Sequence, residues 1–522
     1  MKKYFNLLVL AAMFVSLPAC KEDEPDKPAP PKAPETMTVD KTSVSSGADG
    51  TSVLITFTAP SKPAAVSSAD WLSYEMGPFN SDTYKGKITL NVAKNTTYEP
   101  RNATLTLSSK GVQDVKVSVS QDAAVKPDEP LEPVDNPAFG LFGLGWNMGN
   151  HFDAFYNGTW AGDKYNYPDE TCWGASPATQ ATFDGVKKAG FKSVRIPITW
   201  LNMIGPGPEY KIDETWMNRI YEVVGFAEKA GLVAIINTHH DENNNDDHWL
   251  DIKTATRSAA DNEIIKAKIA AVWTQIAEKF KDKGDFLVME SFNEIQDGGW
   301  GSSAEFKKDP SKQCNVLNDW NQIFVDVVRA TGGNNATRWL GVPTYAAGTA
   351  WVDYFRLPSD PAGKTMMAVH CYDPYEYTLG DSQYSDWGHT GASGKKATWG
   401  DEKYIKDLFY KLNSQFVAKG IPVYLGEFGC SMRSKSDTRA WAFYKYYMEY
   451  VAKAAGTYKL PGLLWDNGSK TTGKECHGYI DHGTGGYMGD SEEIVKLLVK
   501  GMLSEDPSYT LESVYNKAPK FN

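Results

Sequence analysis

The feature that most constrains the fold is an alternation, through residues 138–522, of short apolar runs with longer stretches of helical spacing. Eight of the runs have the length and composition of buried strands: 142–147, 193–197, 233–238, 286–292, 338–342, 366–370, 422–426 and 462–465. Stretches with the apolar spacing of helices lie between them: 214–230, 263–280, 317–330, 404–418 and 438–454. Eight strand-then-helix units match the count and size of a closed parallel barrel. We therefore predict an α/β fold, a (β/α)8 TIM barrel with long loops.

The carboxyl ends of barrel strands are where enzymes of this architecture carry their functional groups. At these ends the chain places polar and aromatic residues: Asn147, Arg195, His239, His240, Asn293, Glu294, His370, Tyr372, Glu427 and Trp465. Glu294 and Glu427 each follow an apolar run, and two such carboxyl groups can converge on one glycosidic bond. Taken alone, either glutamate would be interpreted as a helix-capping or solvated residue. The pair, together with its surroundings, predicts a glycoside hydrolase.

The composition fits an enzyme that acts on a neutral polymer. Charged residues are 23% and hydrophobic residues 41% of the chain, which is ordinary for a globular protein. The 16 Trp, 27 Tyr and 22 Phe are a less ordinary feature, since flat aromatic faces suit the apolar faces of sugar rings. The net charge of −11, without a run of Lys and Arg, argues against nucleic acid as a partner.

The first 20 residues resemble a lipoprotein signal. Two lysines precede an apolar run, 4–17, that is too short to span a bilayer as a mature helix. The run closes with Leu17-Pro18-Ala19-Cys20, which is similar to a lipobox, and that resemblance implies a lipid on Cys20. The segment Lys21-Glu22-Asp23-Glu24 resembles the acidic tag that sends some Gram-negative lipoproteins to the outer face of the cell. An ordinary secretory signal is the alternative; we expect an outer-membrane lipoprotein that faces the medium.

Two Pro-rich segments and a β-rich domain separate this signal from the barrel. The predicted boundaries are 1–20 for the signal peptide, 21–37 for a Pro-rich tether, 38–122 for the β-rich domain, 123–137 for a Pro-rich linker and 138–522 for the barrel. Alternating runs at 53–57, 87–92, 103–107 and 115–119 predict a small all-β, Ig-like sandwich that precedes the barrel.

The β-rich domain resembles the BACON domain in its segments 69–73, 101–105 and 119–121. The name of that family proposes carbohydrate binding. Trp71 could serve as a sugar platform, but its place beside Leu72 favours a core residue, and we predict that the domain is a spacer.

The strand-end pattern of the barrel resembles glycoside hydrolase family 5, within the clan of retaining barrel glycosidases. Segments 145–150, 170–174 and 372–375 are most similar to subfamily 4, which includes endo-β-1,4-glucanases, xyloglucanases and mixed-linkage glucanases. The resemblance implies that Glu294 is the general acid/base and Glu427 the nucleophile. The chain departs from the family at Cys371, where relatives often carry an aromatic residue.

Elementary chemistry agrees with these two roles. Retention requires carboxyl groups only ~5–5.5 Å apart. Two carboxylates at that distance repel, so one should keep its proton near neutral pH and serve as the acid. We expect Arg195 and Tyr372 to stabilise the ionised form of Glu427.

The neighbouring residues are predicted to bind the substrate. Asn293 can bond the sugar 2-hydroxyl, His239 and His370 can orient hydroxyls and carboxylates, and Trp465 can form the floor of the −1 subsite. The full predicted set is Asn147, Arg195, His239, His240, Asn293, His370, Tyr372, Trp465 and Trp173.

We expect neither a metal nor another cofactor. Adjacent histidines on a strand, such as His239 and His240, point to opposite faces, and no third ligand accompanies them. The acidic loop 241–247 lacks the glycine and distal glutamate of an EF-hand. Loop tryptophans Trp173, Trp249 and Trp300 are compatible with either sugar stacking or packing. Beyond Cys20 the five cysteines are an odd number, which excludes complete pairing within the chain.

The leading hypothesis is a monomeric, surface-tethered, retaining endo-β-1,4-glucanase whose partner is a β-glucan. The alternatives are a β-mannanase on the same scaffold and a non-catalytic glycan-binding lipoprotein. The sequence leaves open whether cellulose-like, mixed-linkage or xylose-branched glucans are preferred.

Overall fold

The computed structural model describes residues 32–97, 99–124, 132–155, 169–242, 248–380 and 384–521. These residues form two compact units, one before residue 131 and one from Glu132 onward. The predicted signal peptide with Cys20, residues 21–31 of the tether, residues 125–131 of the linker and residues 243–247 of the acidic loop lie outside the described residues. No helix within the described ranges is long and apolar enough to cross a membrane.

The first unit consists of two four-stranded sheets. Its strands are β1 (Thr38–Val39), β2 (Ser43–Ser46), β3 (Thr51–Thr58), β4 (Ala64–Ser67), β5 (Leu72–Asn80), β6 (Lys85–Val92), β7 (Arg101–Ser108) and β8 (Val115–Gln121). One sheet has the order β1-β3-β6-β5 and the other β2-β8-β7-β4. Strand β7 shows why the two sheets pack against each other. Its residues Ala103, Leu105 and Leu107 are buried and alternate with outward polar residues. The small all-β domain is confirmed.

Trp71 lies at the edge of this β core rather than on an open platform. Its ring is partly buried against the core, and the guanidinium of Arg101 lies 4.3 Å from the ring centroid. Arg101 is itself held by Gln121 and by the carbonyl of Ala93. The covered ring is in keeping with the packing interpretation of Trp71.

The second unit contains a closed parallel barrel. Its strands are β9 (Leu144–Asn147), β10 (Ser193–Ile196), β11 (Val233–Ile236), β12 (Leu287–Glu290), β13 (Leu340–Gly348), β14 (Thr365–Cys371), β15 (Val423–Phe428) and β16 (Gly462–Leu464). They follow chain order around the barrel, and β16 pairs with β9 to close it. The predicted (β/α)8 barrel is confirmed.

Helices surround and connect the barrel strands. They are α1 (Pro137–Phe142), α2 (Gln180–Lys188), α3 (Glu214–Ala230), α4 (Ile252–Arg257), α5 (Ala259–Phe280), α6 (Ala304–Lys308), α7 (Pro310–Ala330), α8 (Tyr375–Thr378), α9 (Glu402–Gln415), α10 (Thr438–Thr457), α11 (Ser491–Leu503) and α12 (Leu511–Tyr515). Several begin at an aspartate whose carboxylate accepts a backbone N–H: Asp213 from Trp216, Asp401 from Tyr404 and Asp437 from Ala440. Such caps fix where the connecting loops end.

The first predicted strand began too early. Phe142 belongs to α1 and not to β9, because Asn136 caps a helix whose first residue is Pro137. The Phe142 ring meets the Tyr424 ring edge-on at 5.1 Å, within an apolar cluster that also contains Val288 of β12 and Leu463 of β16. Helix α1 therefore packs against side chains of the barrel interior.

Candidate active site

Arg195 is the centre of the polar network inside the barrel mouth. Its Nε and Nη2 atoms donate to Oε1 of Glu290 at 3.0 and 2.7 Å. Nη1 donates to Oδ1 of Asn147 at 3.0 Å and to Oε1 of Glu427 at 2.8 Å, while Nη2 also donates to Oδ1 of Asn293 at 2.8 Å. All five N–H donors of the guanidinium are thereby used. Burial alone would lower the pKa of Arg195, but the carboxylates of Glu290 and Glu427 raise it above its usual value.

Glu290 is a buried member of this network that the strand-end analysis missed. Its Oε1 accepts from Arg195 and from the Asn237 amide at 3.0 Å, and its Oε2 accepts from the Tyr424 hydroxyl at 2.6 Å. A signal for it was present, because a charged residue within the apolar run of β12 requires a buried partner. Glu290 holds Arg195 from the side opposite Glu427.

Asn147 anchors the same arginine to the barrel backbone. Its amide nitrogen donates to the carbonyls of Gly426 and Leu463 at 2.9 and 3.1 Å, and its oxygen accepts from Arg195. Asn147 is fully buried, so it supports the network from below rather than facing the cleft.

Glu427 is surrounded by groups that favour its ionised form. Oε1 accepts from Arg195 at 2.8 Å, and Oε2 accepts from the Tyr372 hydroxyl at 2.9 Å. Burial would raise the pKa of Glu427, but His370, Arg195 and Tyr372 together lower it below its usual value. Burial and the nearby carboxylates raise the pKa of Tyr372 well above its usual value, so its hydroxyl remains a donor.

Glu294 lies close to Glu427 but has a different environment. An oxygen of each carboxylate and a ring nitrogen of His370 all lie within 4.8 Å of one another. Burial and the like charge of Glu427 raise the pKa of Glu294, and contact with His370 only partly offsets this rise. The Glu294 side chain is 19% exposed and that of Glu427 only 7%. The pair thus combines a short separation with opposite pKa shifts, as retaining glycoside hydrolysis requires.

His239 and Trp465 form one wall of the site. Their rings are parallel to within 3°, with centroids 5.8 Å apart. The Asn237 amide donates to His239 Nδ1 at 3.2 Å, and Nε2 lies 4.0 Å from Glu427. Burial, followed by His240 and Arg195, lowers the pKa of His239 well below its usual value, so the ring is neutral. Its proton then resides on Nε2, facing the site.

The Trp465 ring requires a glycine beside it. A Cβ atom at Gly149 would lie 2.6 Å from Cζ2 of Trp465, and the Gly149 N–H donates to the Asp466 carbonyl at 2.8 Å. The backbone that follows β9 therefore passes directly against the indole.

His240 carries a charge at the rim of the site. Its Nε2 lies 3.7 Å from Asp153 and its Nδ1 3.5 Å from Glu242. Burial would lower the pKa of His240, but Glu242 and Asp153 raise it to about 9. The Trp173 ring, 38% exposed, lies 5.7 Å from His240 and donates its N–H to the Phe155 carbonyl. The structure therefore brings the predicted residues Trp173 and His240 together, and adds Asp153 and Glu242.

Within the described part of the chain, two groups of side chains have the spacing of metal ligands: Asp153, His239 and His240, and Glu294, His370 and Glu427. In the second group both oxygens of Glu427 already accept hydrogen bonds, from Arg195 and Tyr372. A cation there would have to replace these donors. In the first group, Nδ1 of His239 already accepts from the Asn237 amide at 3.2 Å.

The remaining loop residues separate into packed and exposed ones. Trp249 is 8% exposed; it donates to Asp241 at 2.7 Å, and Lys268 lies 4.8 Å from the ring centroid. Trp300, in contrast, is 56% exposed. Cys371 is buried, and burial keeps its thiol protonated by raising its pKa.

Comparisons with known proteins agree with this geometry. Residues 157–471 match the model of Cellulase (glycosyl hydrolase family 5), and residues 64–122 match the model of the BACON domain. Endoglucanase A of Paenibacillus barcinonensis is 35% identical over 341 residues, which are 62% of this chain and 80% of that protein. The xyloglucan-specific endo-beta-1,4-glucanase of Bacteroides ovatus is 32% identical over 416 residues, 75% of this chain and 79% of that protein.

Solved structures give the same assignment. A GH5-4 broad specificity endoglucanase from Bacteroides salanitronis superposes with a TM-score of 0.66 at 46% identity, covering 73% of this chain and 99% of that one. The family match spans more than half of the chain and includes the strand ends that carry Glu294 and Glu427. The chain is therefore a glycoside hydrolase and belongs to glycosyl hydrolase family 5, with a BACON domain before its barrel.

Proposed function

We propose that the chain is a retaining endo-β-1,4-glucanase that cleaves internal bonds of plant β-glucans. The observation that carries the proposal is the pair of carboxylates within 4.8 Å whose pKa values are shifted in opposite directions. That separation suits a retaining reaction, because inverting enzymes leave ~6.5–9.5 Å between their carboxyl groups for a water. The relatives named above are endoglucanases and a xyloglucanase, which favours neither a β-mannanase nor a non-catalytic binding protein.

In the first step, Glu427 attacks the anomeric carbon while Glu294 gives its proton to the leaving oxygen. The bonding pair of the broken C–O bond goes to that oxygen, and a glycosyl ester forms on Glu427. Arg195 and Tyr372 hold the attacking carboxylate ionised and oriented before it reacts. Asn293, whose Oδ1 accepts from Arg195, bonds the sugar 2-hydroxyl in this mechanism.

In the second step, Glu294 acts as a base. Esterification removes the negative charge of Glu427, so one of the causes that raise the pKa of Glu294 disappears. The pKa of Glu294 then falls, and its carboxylate can take a proton from the water that attacks the ester. Two displacements on one carbon restore the original configuration.

Product stereochemistry and chain cutting test this function directly. Proton NMR of early products from a soluble β-glucan should show the β-anomer before mutarotation. The viscosity of the solution should fall long before most reducing ends have been released. An α-anomer appearing first would contradict retention, and release of only short sugars at constant viscosity would contradict endo cleavage.

We also propose that Cys20 is lipidated and tethers a monomer to the outer membrane, facing the medium. The support is the charged start, the short apolar run and the residues Leu17-Pro18-Ala19-Cys20. In this arrangement residues 38–122 act as a spacer.

A further inference from the structure

Asp466 follows Trp465 directly, just beyond the end of β16, and is fully buried. It takes no part in the two chemical steps. A buried carboxylate is costly to the fold unless hydrogen bonds or charges replace its lost hydration. The groups that bond to Asp466 therefore indicate what the residue does.

The Asp466 carboxylate accepts hydrogen bonds from separate parts of the barrel unit. Oδ2 accepts from the Trp146 indole at 2.8 Å and from the backbone N–H groups of Tyr479 and Ile480 at 3.0 and 2.8 Å. Oδ1 accepts from the Gly468 N–H at 2.9 Å. Trp146 belongs to β9, whereas the other three donors belong to the loop between β16 and α11. Asp466 thus ties β9 to two separate points of this loop.

The convergence of these donors explains why the residue is an aspartate. An ionised carboxylate has two oxygens and no N–H group, so it can accept from all of them. An asparagine would turn its own NH₂ group either toward the donors on Oδ2 or toward the Gly468 N–H. Nε2 of His482 also lies 3.5 Å from Oδ1. The surroundings of Asp466 therefore require a side chain that only accepts.

Asp466 also fixes the backbone against which the Trp465 ring lies. The Asp466 carbonyl accepts from the Gly149 N–H at 2.8 Å. Gly149 is in contact with the indole, since a Cβ atom there would lie 2.6 Å from Cζ2 of Trp465. On the other side of the chain, the Trp465 N–H donates to the Phe428 carbonyl at 2.9 Å. The indole is thus held between the anchored Asp466 and the residue that follows Glu427.

The indole that is held in this way stands beside the reacting groups. Its plane is parallel to the His239 ring to within 3°, with centroids 5.8 Å apart. Nε2 of His239 lies 4.0 Å from Oε1 of Glu427. A change in the orientation of Trp465 therefore moves one wall of the site in which Glu427 attacks. A displacement of about 1 Å in such a wall can lower the rate ~10²-fold.

We propose that Asp466 is a positioning residue, whose carboxylate sets the orientation of Trp465 and thereby the place of the sugar that Glu427 attacks. The proposal rests on the function proposed above and adds a residue that acts without touching the substrate. Removal of the carboxylate should then lower activity only while the indole is present.

The test is a double-mutant cycle on the full-length enzyme with dinitrophenyl β-cellobioside, whose activated leaving group keeps weak variants measurable. Asp466→Ala is made in the wild type and in the Trp465→Ala variant, and kcat and KM are measured for all four proteins. Asp386→Ala, made in both backgrounds, is the matched control, because Asp386 is also fully buried and accepts from Arg439 and the Ala392 N–H. Thermal unfolding of every protein is recorded.

We expect Asp466→Ala to lower kcat/KM of the wild type about 10-fold, mainly through kcat, which is equivalent to ~1.4 kcal/mol. In the Trp465→Ala background the same substitution should lower it by less than about twofold, because the two residues are coupled. Asp466→Asn keeps one oxygen for the donors on Oδ2, so its loss should be about threefold in the wild type and absent without the indole. Asp386→Ala should leave kcat/KM unchanged in both backgrounds.

Equal losses in the two backgrounds would overturn the proposal, because Asp466 would then act independently of Trp465. An unchanged kcat/KM of Asp466→Ala with a lowered melting temperature would also overturn it, since the carboxylate would serve the fold alone. If Asp466→Ala does not yield folded protein, the cycle with Asp466→Asn decides by the same two criteria. A wild-type enzyme inactive on the cellobioside would overturn the proposed function as well, whereas an active wild type with either contrary result would overturn the positioning role alone.

Discussion

The Nδ1 atom of His370 lies 2.7 Å from Oε1 of Glu294 and 3.7 Å from Oε2 of Glu427, so one imidazole interacts with both carboxylates. Burial would lower the pKa of His370, but the two glutamates raise it. A protonated ring lowers the pKa of both glutamates, and burial and mutual repulsion act in the opposite direction. The working pH range of the pair is thus set jointly by three residues.

Replacing His370 should shift the whole profile of kcat/KM against pH to higher pH. Activity requires ionised Glu427, which is lost below its lowered pKa, and protonated Glu294, which is lost above its raised pKa. Because His370 lowers both pKa values, His370→Asn should shift both limbs of the kcat/KM profile to higher pH. His389→Asn, which removes a histidine bonded to Glu402 elsewhere in the barrel unit, should leave the profile in place. A profile that narrows without moving would contradict this origin of the pKa shifts.

Azide should restore activity to a variant that lacks Glu294, and the product should retain the anomeric configuration. Glu294→Ala removes proton donation, a contribution of about 10²–10⁴-fold that an activated aryl glycoside does not need. The glycosyl ester on Glu427 should then accumulate, because its hydrolysis lacks a base. Azide needs no deprotonation and should give a glycosyl azide of retained configuration, detected by NMR. An inverted azide from this variant would mean that the roles of the two glutamates are exchanged.

Loss of Glu427 should have a different signature. Glu427→Ala removes the nucleophile, so activity on aryl glycosides and on polysaccharides should fall alike. If azide restores any reaction, it must enter from the side that Glu427 vacates and give the inverted product. Mass spectrometry should detect no glycosyl-enzyme. Wild-type turnover in this variant would refute the mechanism.

Glu290 should act through Arg195 and not through the substrate. Glu290→Gln leaves a buried arginine with one carboxylate instead of two, and breaking a buried ion pair costs about 3–5 kcal/mol. We expect a lower melting temperature and a fall in kcat with little change in KM. Tyr424→Phe, which removes only the hydrogen bond to Glu290, should lose about 1 kcal/mol and little activity. An increase in KM at constant kcat for Glu290→Gln would indicate direct substrate contact instead.

The proposed anchor and spacer can be tested with two altered forms of the protein. Cys20→Ala should leave the protein in the soluble fraction, whereas the unaltered chain should sediment with outer membranes. Residues 132–522 alone should keep kcat/KM on soluble glucan within about twofold, since a spacer that does not bind the glucan contributes to neither kcat nor KM. Membrane sedimentation of the Cys20→Ala protein, or a large rise in KM for the shortened one, would contradict the anchor or the spacer respectively.

The barrel was predictable because its strands are buried on both faces and therefore read as apolar runs. The strand-end residues could be placed together because the topology of the barrel brings Asn293, Glu294 and Glu427 to one mouth. What the sequence did not reveal depends on side-chain contacts between distant segments. Glu290 was passed over inside its apolar run, and Phe142 was assigned to a strand because a short capped helix and a strand can share an apolar texture.

The charge of His240 likewise could not be predicted from the sequence. Its pKa of about 9 depends on Asp153 and Glu242, which no spacing in the sequence connects to it before the fold is known. The exposure of Trp300 and the burial of Trp249 were likewise undecided, because both follow loop sequences of similar polarity.

Every N–H group of Arg195 is hydrogen-bonded. The barrel interior around Arg195 therefore tolerates substitution less well than the rim loops do. A guanidinium held on five bonds cannot turn to follow a new ligand, and a lysine in its place would offer three donors at one point instead of a planar fork. Alterations that redirect the enzyme to a differently branched glucan therefore belong in the rim loops, where residues such as Trp173 and Trp300 stand free of that network. The specificity for the glucan can therefore change through the rim loops while the residues of the barrel interior stay the same.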